Sequence, residues 1–188
     1  MQPILGIDLG QTKTKVSIFR NEKVEMVPLC GSIGSIPSSI AFNNEGRILI
    51  GNEAYQLGFM QPEQCFASLQ TVMHNKDKGI KIHQNQLSLS EIASGYFIGL
   101  KREIEYCLDE RIDNATISIP QYNNNKEIHW IEEAAKSAGF HVISILREPM
   151  AAFIYYLASG ILKDDRGLYL IYDFGSEFNV SIVRKNSP

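Results

Sequence analysis

Long apolar runs are missing from this sequence, and no stretch approaches the length a membrane helix needs. A dominant charge is missing too. Lysine and arginine number 18 against 21 aspartates and glutamates. The formal net charge of −3 therefore gives no electrostatic hold on nucleic acid or on an anionic membrane, and neither is expected as a partner. A secretory signal is not expected, because Asp8 interrupts the first apolar run. Cysteine is scarce. Cys30, Cys65 and Cys107 are odd in number, widely spaced and without a CxxC pair. Reduced thiols in a cytoplasmic protein are expected, rather than a disulfide framework or a zinc site. His74, His83, His129 and His141 lack ligand spacing, and no Walker A or GxGxxG motif occurs. "DFG" at 173–175 is the tripeptide of the kinase metal loop, but no glycine-rich loop, HRD or APE accompanies it.

What is present has an ordinary globular balance. Hydrophobic content of 44% with 21% charged residues excludes a disordered chain, and 188 residues suffice to bury a real core. Apolar patterning predicts strands at "ILGID", "KTKVSIF" and "KVEMVPL", with a turn at Asn21-Glu22. "CGSIGSIPSS" is rich in Gly, Ser and Pro and predicts a loop. Short strands are expected near "SIAFNN" and "RILIG", then helices over 52–60 and 63–73, then an exposed loop or ragged hairpin over 74–87. From Ser88 the signals sharpen. Ser88-x-x-Glu91 is a capping box opening a helix with Ile92, Phe97, Leu100, Ile104 and Leu108 at helical spacing. "ATISIP" is a buried-type strand. Asn124 and Glu127 are spaced as a second capping box, whose helix stops at Gly139. "HVISIL" is another strand, and Glu148-Pro149 opens a helix running to Gly160. Trp130 and the Tyr155-Tyr156 pair read as helix-face packing. Strands alternating with helices predict a mixed α/β sheet covered by helices.

The two ends of the chain resemble each other. "LGIDLGQTKTKVSIF" near the start and "LIYDFGSEFNVSIV" near the end both carry an Asp, an apolar residue, a Gly, a polar turn and Val-Ser-Ile. A glycine-bearing turn between paired strands lets backbone N–H groups converge on phosphate oxygens. A carboxylate at the strand end before such a turn can hold Mg2+, usually through water. Singly, either turn reads equally as an ordinary strand end. Together they predict a two-sided clamp for a polyphosphate and its metal, built on a duplicated architecture.

"GIDLGQTKTKVSIF", "IPSSIAFNNEGRILIGNEA", "ATISIPQYNNNKEIHWIEEAAKSAGFHVISILREPMAA" and "YDFGSEFNVSIV" together resemble the nucleotide-binding domain of the DnaK-type heat-shock chaperones, the 70-kDa heat-shock protein family. "IPQY" before a helix, then "AGFHVISILREPMAA", separates that family from actins and sugar kinases. The resemblance implies an α/β, actin-like ATPase (ribonuclease H-like) fold. The chain would hold the first βββαβαβα repeat and the opening hairpin of the second. It implies ATP or ADP with Mg as cofactors, a cytoplasmic stress-response chaperone, and client proteins and co-chaperones as partners of the full-length protein. By residue, it implies that Asp8, Glu148 and Asp173 serve the metal, mostly through water, with Glu148 and Asp173 as catalytic candidates. Gly10, Gln11, Thr12, Lys13, Gly175 and Ser176 fall in the two phosphate loops. Glu148 at a helix start also reads simply as favouring the helix dipole.

The departures are specific. The second loop of the family has three consecutive glycines, whereas "DFGSEFNVS" has one, is a residue shorter, and carries Glu177 and Asn179. A carboxylate in a phosphate turn repels its ligand. Aligning on Phe66 puts Leu69 where the family has its catalytic lysine, and leucine cannot neutralise a phosphate; Lys13 is a partial substitute. Two alternatives follow: a non-catalytic pseudo-ATPase scaffold or interaction module, and a sugar or acetate kinase of the same superfold. The expected organisation is a first lobe over 1–166, with an inserted subdomain over about 31–112, and a truncated second-lobe hairpin over 167–188. That hairpin is expected to be a fragment of a longer protein's second sheet. Leu168, Leu170, Ile171, Val180, Ile182 and Val183 would have no second-lobe core to enter, and protease is expected to cut near 164–166.

Overall fold

The computed structural model describes residues 2–29, 34–43, 45–74, 80–82, 85–163, 166–175 and 178–186. The chain opens with an antiparallel meander of β1 (Ile4–Leu9), β2 (Lys13–Arg20) and β3 (Lys23–Met26). Asn21 and Glu22 both have positive φ, 52° and 61°, the two-residue turn whose twist matches a right-handed hairpin. The third strand stops at Met26, short of the expected Leu29. All four of its residues are exposed, whereas Val27 and Leu29 leave the ladder to enter the core.

Part of the expected Gly/Ser/Pro loop is a strand. β4 (Ser35–Pro37) pairs with β2, Thr14 opposite Ile36, because Ile36 has a core position to fill. β5 (Ile40–Phe42) and β6 (Ile48–Ile50) form the expected short pair and lead into α1 (Gly51–Met60). The helix expected over 63–73 does not form as one piece. A single 3₁₀ turn over Pro62–Gln64 is followed by β7 (Cys65–Phe66), which adds to β5, and only then by α2 (Leu69–His74). Ladder hydrogen bonds and an edge-to-face contact of Phe66 with Phe42, at 6.4 Å, outcompete helix there. β8 (Ile80–Ile82) and β9 (Asn85–Leu87) form the hairpin expected within 74–87.

α3 (Leu89–Leu108) starts at a complete capping box, with Ser88 and Glu91 bonding each other's backbone. Ile92, Phe97, Leu100 and Ile104 are buried, and Leu108 lies half-buried at the end. β10 (Asn114–Ile119) follows, then α4 (Asn125–Ser137), capped by Asn124 and Glu127 and stopped at Gly139 with φ +84°. β11 (His141–Arg147) runs directly into α5 (Glu148–Ala158). The chain closes with β12 (Gly167–Phe174) and β13 (Phe178–Lys185), which pair with each other.

The main sheet has the order β11-β10-β1-β2-β3, with β4 on β2. Its three inner pairings mix parallel (β11-β10 and β10-β1) with antiparallel (β1-β2). Alternation decides its two faces. Leu5, Ile7, Leu9, Ile117 and Ile119 are buried with Phe97, Leu100 and Ile131 in the core under α3 and α4. The opposite face carries Gly6, Asp8, Thr116 and Ser118, which are only half-buried. That face is where α5 and the β12-β13 hairpin lie.

The hairpin is a separate two-stranded sheet among the described residues. It packs on α5 through Phe153, whose ring lies 4.8 Å from that of Tyr169, and through buried Val183. Its other face exposes Leu168, Leu170, Tyr172, Val180 and Ile182. Of the six apolar residues expected to lack a core, Val183 is buried and Ile171 half-buried against the protein's own first part.

Candidate functional site

β1 delivers Asp8 to the open face just before the chain turns at Gly10, Gln11 and Thr12. Its flanking strands hold the carboxylate from both sides. Asp8 is in register with Ser118 on β10 and with Lys15 on β2. Ser118 Oγ donates to Asp8 Oδ1 at 2.9 Å, and Lys15 Nζ stands 3.4 Å from Oδ2.

The turn is tied down by its carbonyl oxygens. Gln70 Nε2 donates to Leu9 O at 2.9 Å, Ser38 Oγ to Gly10 O at 2.7 Å, and Ser38 N to Thr12 O at 3.0 Å. Beneath it, Thr14 Oγ1 bonds Ser38 Oγ at 3.0 Å and also the hydroxyl of Tyr96. Tyr96 is completely buried, and burial pushes its phenol up to about 12, so it remains a neutral partner. Gly10 is sterically required: a Cβ there would sit 2.6 Å from Lys13 O. Gly175 in the second turn meets nothing within 4 Å at the same test.

Glu148 arrives by a different route. It is the first residue of α5, so Pro149 stands second in the helix, one place after the expected first position that proline favours. The preceding Arg147 donates to the carbonyls of Gln121 and Asn123, the latter at 2.9 Å, and so pins the loop bearing Pro120 and Tyr122. Asp173 comes from β12, opposite Asn179. Burial pushes Glu148 up to about 7, and the charges of Asp8 and Asp173 add to the effect; Lys15 pulls the other way.

A cleft of about 180 Å³ is lined by both turns and all three carboxylates. It gathers Asp8, Gly10, Gln11, Thr12, Lys13, Glu148, Asp173 and Gly175 of the expected site. Ser176 and Glu177 lie outside the described residues. Leu69 is in the core, fully buried, and does not line the cleft. Sequence reasoning missed Lys15, Ser118 and Gln70, while Asn179, noted there as a departure in the second loop, lines the cleft. Only for Lys15 was a signal available, since its place in the alternating "KTKVSIF" puts it on the face of Asp8 across the hairpin.

The donor types fit a hard divalent ion, because the acidic side chains lining the cleft are three carboxyl groups, with no sulfur or imidazole beside them. Burial first, and then the charges of Asp8 and Asp173, raise the proton affinity of Glu148, and a cation would relieve the electrostatic part of that rise. Among the described residues no group of three such side chains is placed to hold an ion directly.

A family model described as Hsp70 protein matches residues 4–76 and 60–187, which together run through nearly the whole chain. The mixed sheet with its glycine-turn hairpin is accordingly the actin-like ATPase fold of that family's nucleotide-binding domain.

Proposed function

The chain belongs to the Hsp70 family, and we propose that its cleft binds the phosphate end of ATP or ADP together with Mg2+. The observation that carries this is the convergence of Asp8, Glu148 and Asp173 beside the braced Gly10–Thr12 turn. Asp8 and Asp173 would hold the ion through its water, with Glu148 completing the acidic ring. The ion would supply charge neutralisation for the phosphates. Gly10, Gln11, Thr12 and Lys13 on one side, and Gly175 on the other, would bracket those phosphates. A cleft of about 180 Å³ is smaller than a whole-ligand pocket, which supports a phosphate subsite rather than a complete nucleotide pocket.

Within that reading, this chain binds without efficient hydrolysis. Leu69 sits in the core, and Gln70 of α2, which reaches the turn through its Nε2 bond to Leu9 O, is neutral. The role we infer is a nucleotide-responsive module of a cytoplasmic, stress-related chaperone. Client proteins and co-chaperones would be engaged by the rest of such a protein. We also propose two units, a lobe over 1–166 with an elaboration over about 31–112, and a hairpin from 167 that begins a second lobe.

The test is a calorimetric titration of the chain with ATP, with and without Mg2+, alongside Asp8→Asn. Binding that needs Mg2+ and disappears in the variant is expected. No response at millimolar Mg-ATP would leave the scaffold reading in its place. Steady phosphate release that is lost in Asp8→Asn would overturn the non-hydrolytic part.

A further inference from the structure

We propose that Lys15 is the phosphate-binding cation of this site, its ammonium exchanging the Asp8 carboxylate for a terminal phosphate oxygen of the bound polyphosphate. The inference rests on the reading of the cleft as a phosphate site, and it names the residue that makes such a site possible.

An acidic cleft cannot take a polyanion on a metal ion alone without a compensating positive charge nearby. Three carboxylates face this one, and none of the residues lining it comes from α2. β2 supplies the charge. Its alternation buries Thr14 and turns Lys13 and Lys15 outward, and both line the cleft. The two lysines are not equivalent. Lys13 begins the strand at the edge of the turn, opposite Pro37. Lys15 lies one pleat further in, paired with Asp8 on β1 and with Ser35 on β4, so its backbone is held on both flanks.

The contact Lys15 makes now is one it can leave. At 3.4 Å from Asp8 and with its side chain 56% exposed, it is a loose surface pair, of a kind worth little. Asp8 keeps its bond from Ser118 when the lysine departs. A lysine is suited to this exchange, because its ammonium is a point charge on a flexible stem rather than a fork committed to one carboxylate. The ligand class follows as a di- or triphosphate, whose terminal group reaches the strand-borne lysine while inner phosphates lie at the turn. The shared chemistry is the terminal phosphate, whether of a nucleotide or of an inorganic chain.

The experiment titrates the 188-residue chain with Mg-ATP, Mg-ADP and Mg-tripolyphosphate in four forms: wild type, Lys15→Met, Lys15→Arg and Lys13→Met. Loss of a charge-assisted contact should weaken Mg-ATP binding about tenfold in Lys15→Met. Lys15→Arg should bind within about threefold of wild type, and Lys13→Met should fall between them. ATP binding much tighter than tripolyphosphate marks a nucleotide site, and equal binding a bare polyphosphate site; either accords with the assignment. Because Lys15→Met could fold poorly, lysine-methyl NMR of reductively methylated wild type gives a second readout, in which the Lys15 signal shifts on adding Mg-tripolyphosphate. Wild-type affinity in Lys15→Met, or an unmoved Lys15 signal at saturation, overturns the lysine assignment and leaves the nucleotide reading intact. Wild type that binds neither ATP nor tripolyphosphate overturns both.

Discussion

Ser118 and Asp8 stand side by side in register on two parallel strands, and the serine hydroxyl donates to the aspartate Oδ1 at 2.9 Å. The bond fixes one carboxylate oxygen while Lys15 stands 3.4 Å from the other. Ser118→Ala removes one charge-assisted donor from a part-buried acid, a loss of about 1 kcal/mol. Urea unfolding should show that loss with an unchanged m-value, and Mg-ATP should bind more weakly. An unshifted midpoint with unaltered binding would mean the bond orients nothing.

Glu148 makes the metal-free protein sensitive to pH. Its carboxyl is pushed up to about 7 from an ordinary 4.5 by burial and by Asp8 and Asp173. The folded state therefore holds a proton that the unfolded chain releases between those values. Stability is higher at the acid end of that window and falls as pH rises through about 7. Glu148→Gln, which carries no charge, should melt higher than wild type at pH 8, with the gain vanishing near pH 4.5. Parallel melting profiles across that range would refute the raised value.

The two glycine turns should respond oppositely to alanine. At Gly10 the new methyl would meet the Lys13 carbonyl at 2.6 Å, and the turn, tied down through three carbonyls, has little room to shift. Gly10→Ala should destabilise the fold by about 1–3 kcal/mol and abolish phosphate binding. Gly175→Ala meets open space and should be nearly silent in thermal melts. Equal effects at the two positions would contradict this asymmetry.

The β12-β13 hairpin should open independently of the main sheet. Its buried contacts with α5 centre on Phe153, Tyr169 and Val183, and neither Phe153 nor Val183 belongs to the principal core. A two-stranded sheet is marginal without such support. In Phe153→Ala, amide exchange over 167–174 and 178–185 should accelerate at least about tenfold, while β1, β10 and α3 keep their protection. Loss of protection throughout the chain would make the hairpin part of one cooperative unit.

Local order was legible from the residues alone wherever a signal and its target lie within a few positions. Both capping boxes, the glycine stop at Gly139, the Asn21-Glu22 turn and the alternating strands follow from neighbours at most four residues away. So did the pairing of Asp8 with a glycine turn, and its echo at Asp173. What the sequence could not decide depends on partners far off in the chain. Cys65-Phe66 became strand instead of helix because β5 offered an edge, and Leu69 is buried among core residues from distant parts of the chain. The bracing of the turn joins residues 24, 61 and 82 positions apart, and the Ser118–Asp8 bond spans 110. The charge state of Glu148 is the clearest case. Nothing near it in sequence raises its proton affinity; burial against α5's neighbours and the fields of two aspartates from opposite ends of the chain do, and only folding brings them within range.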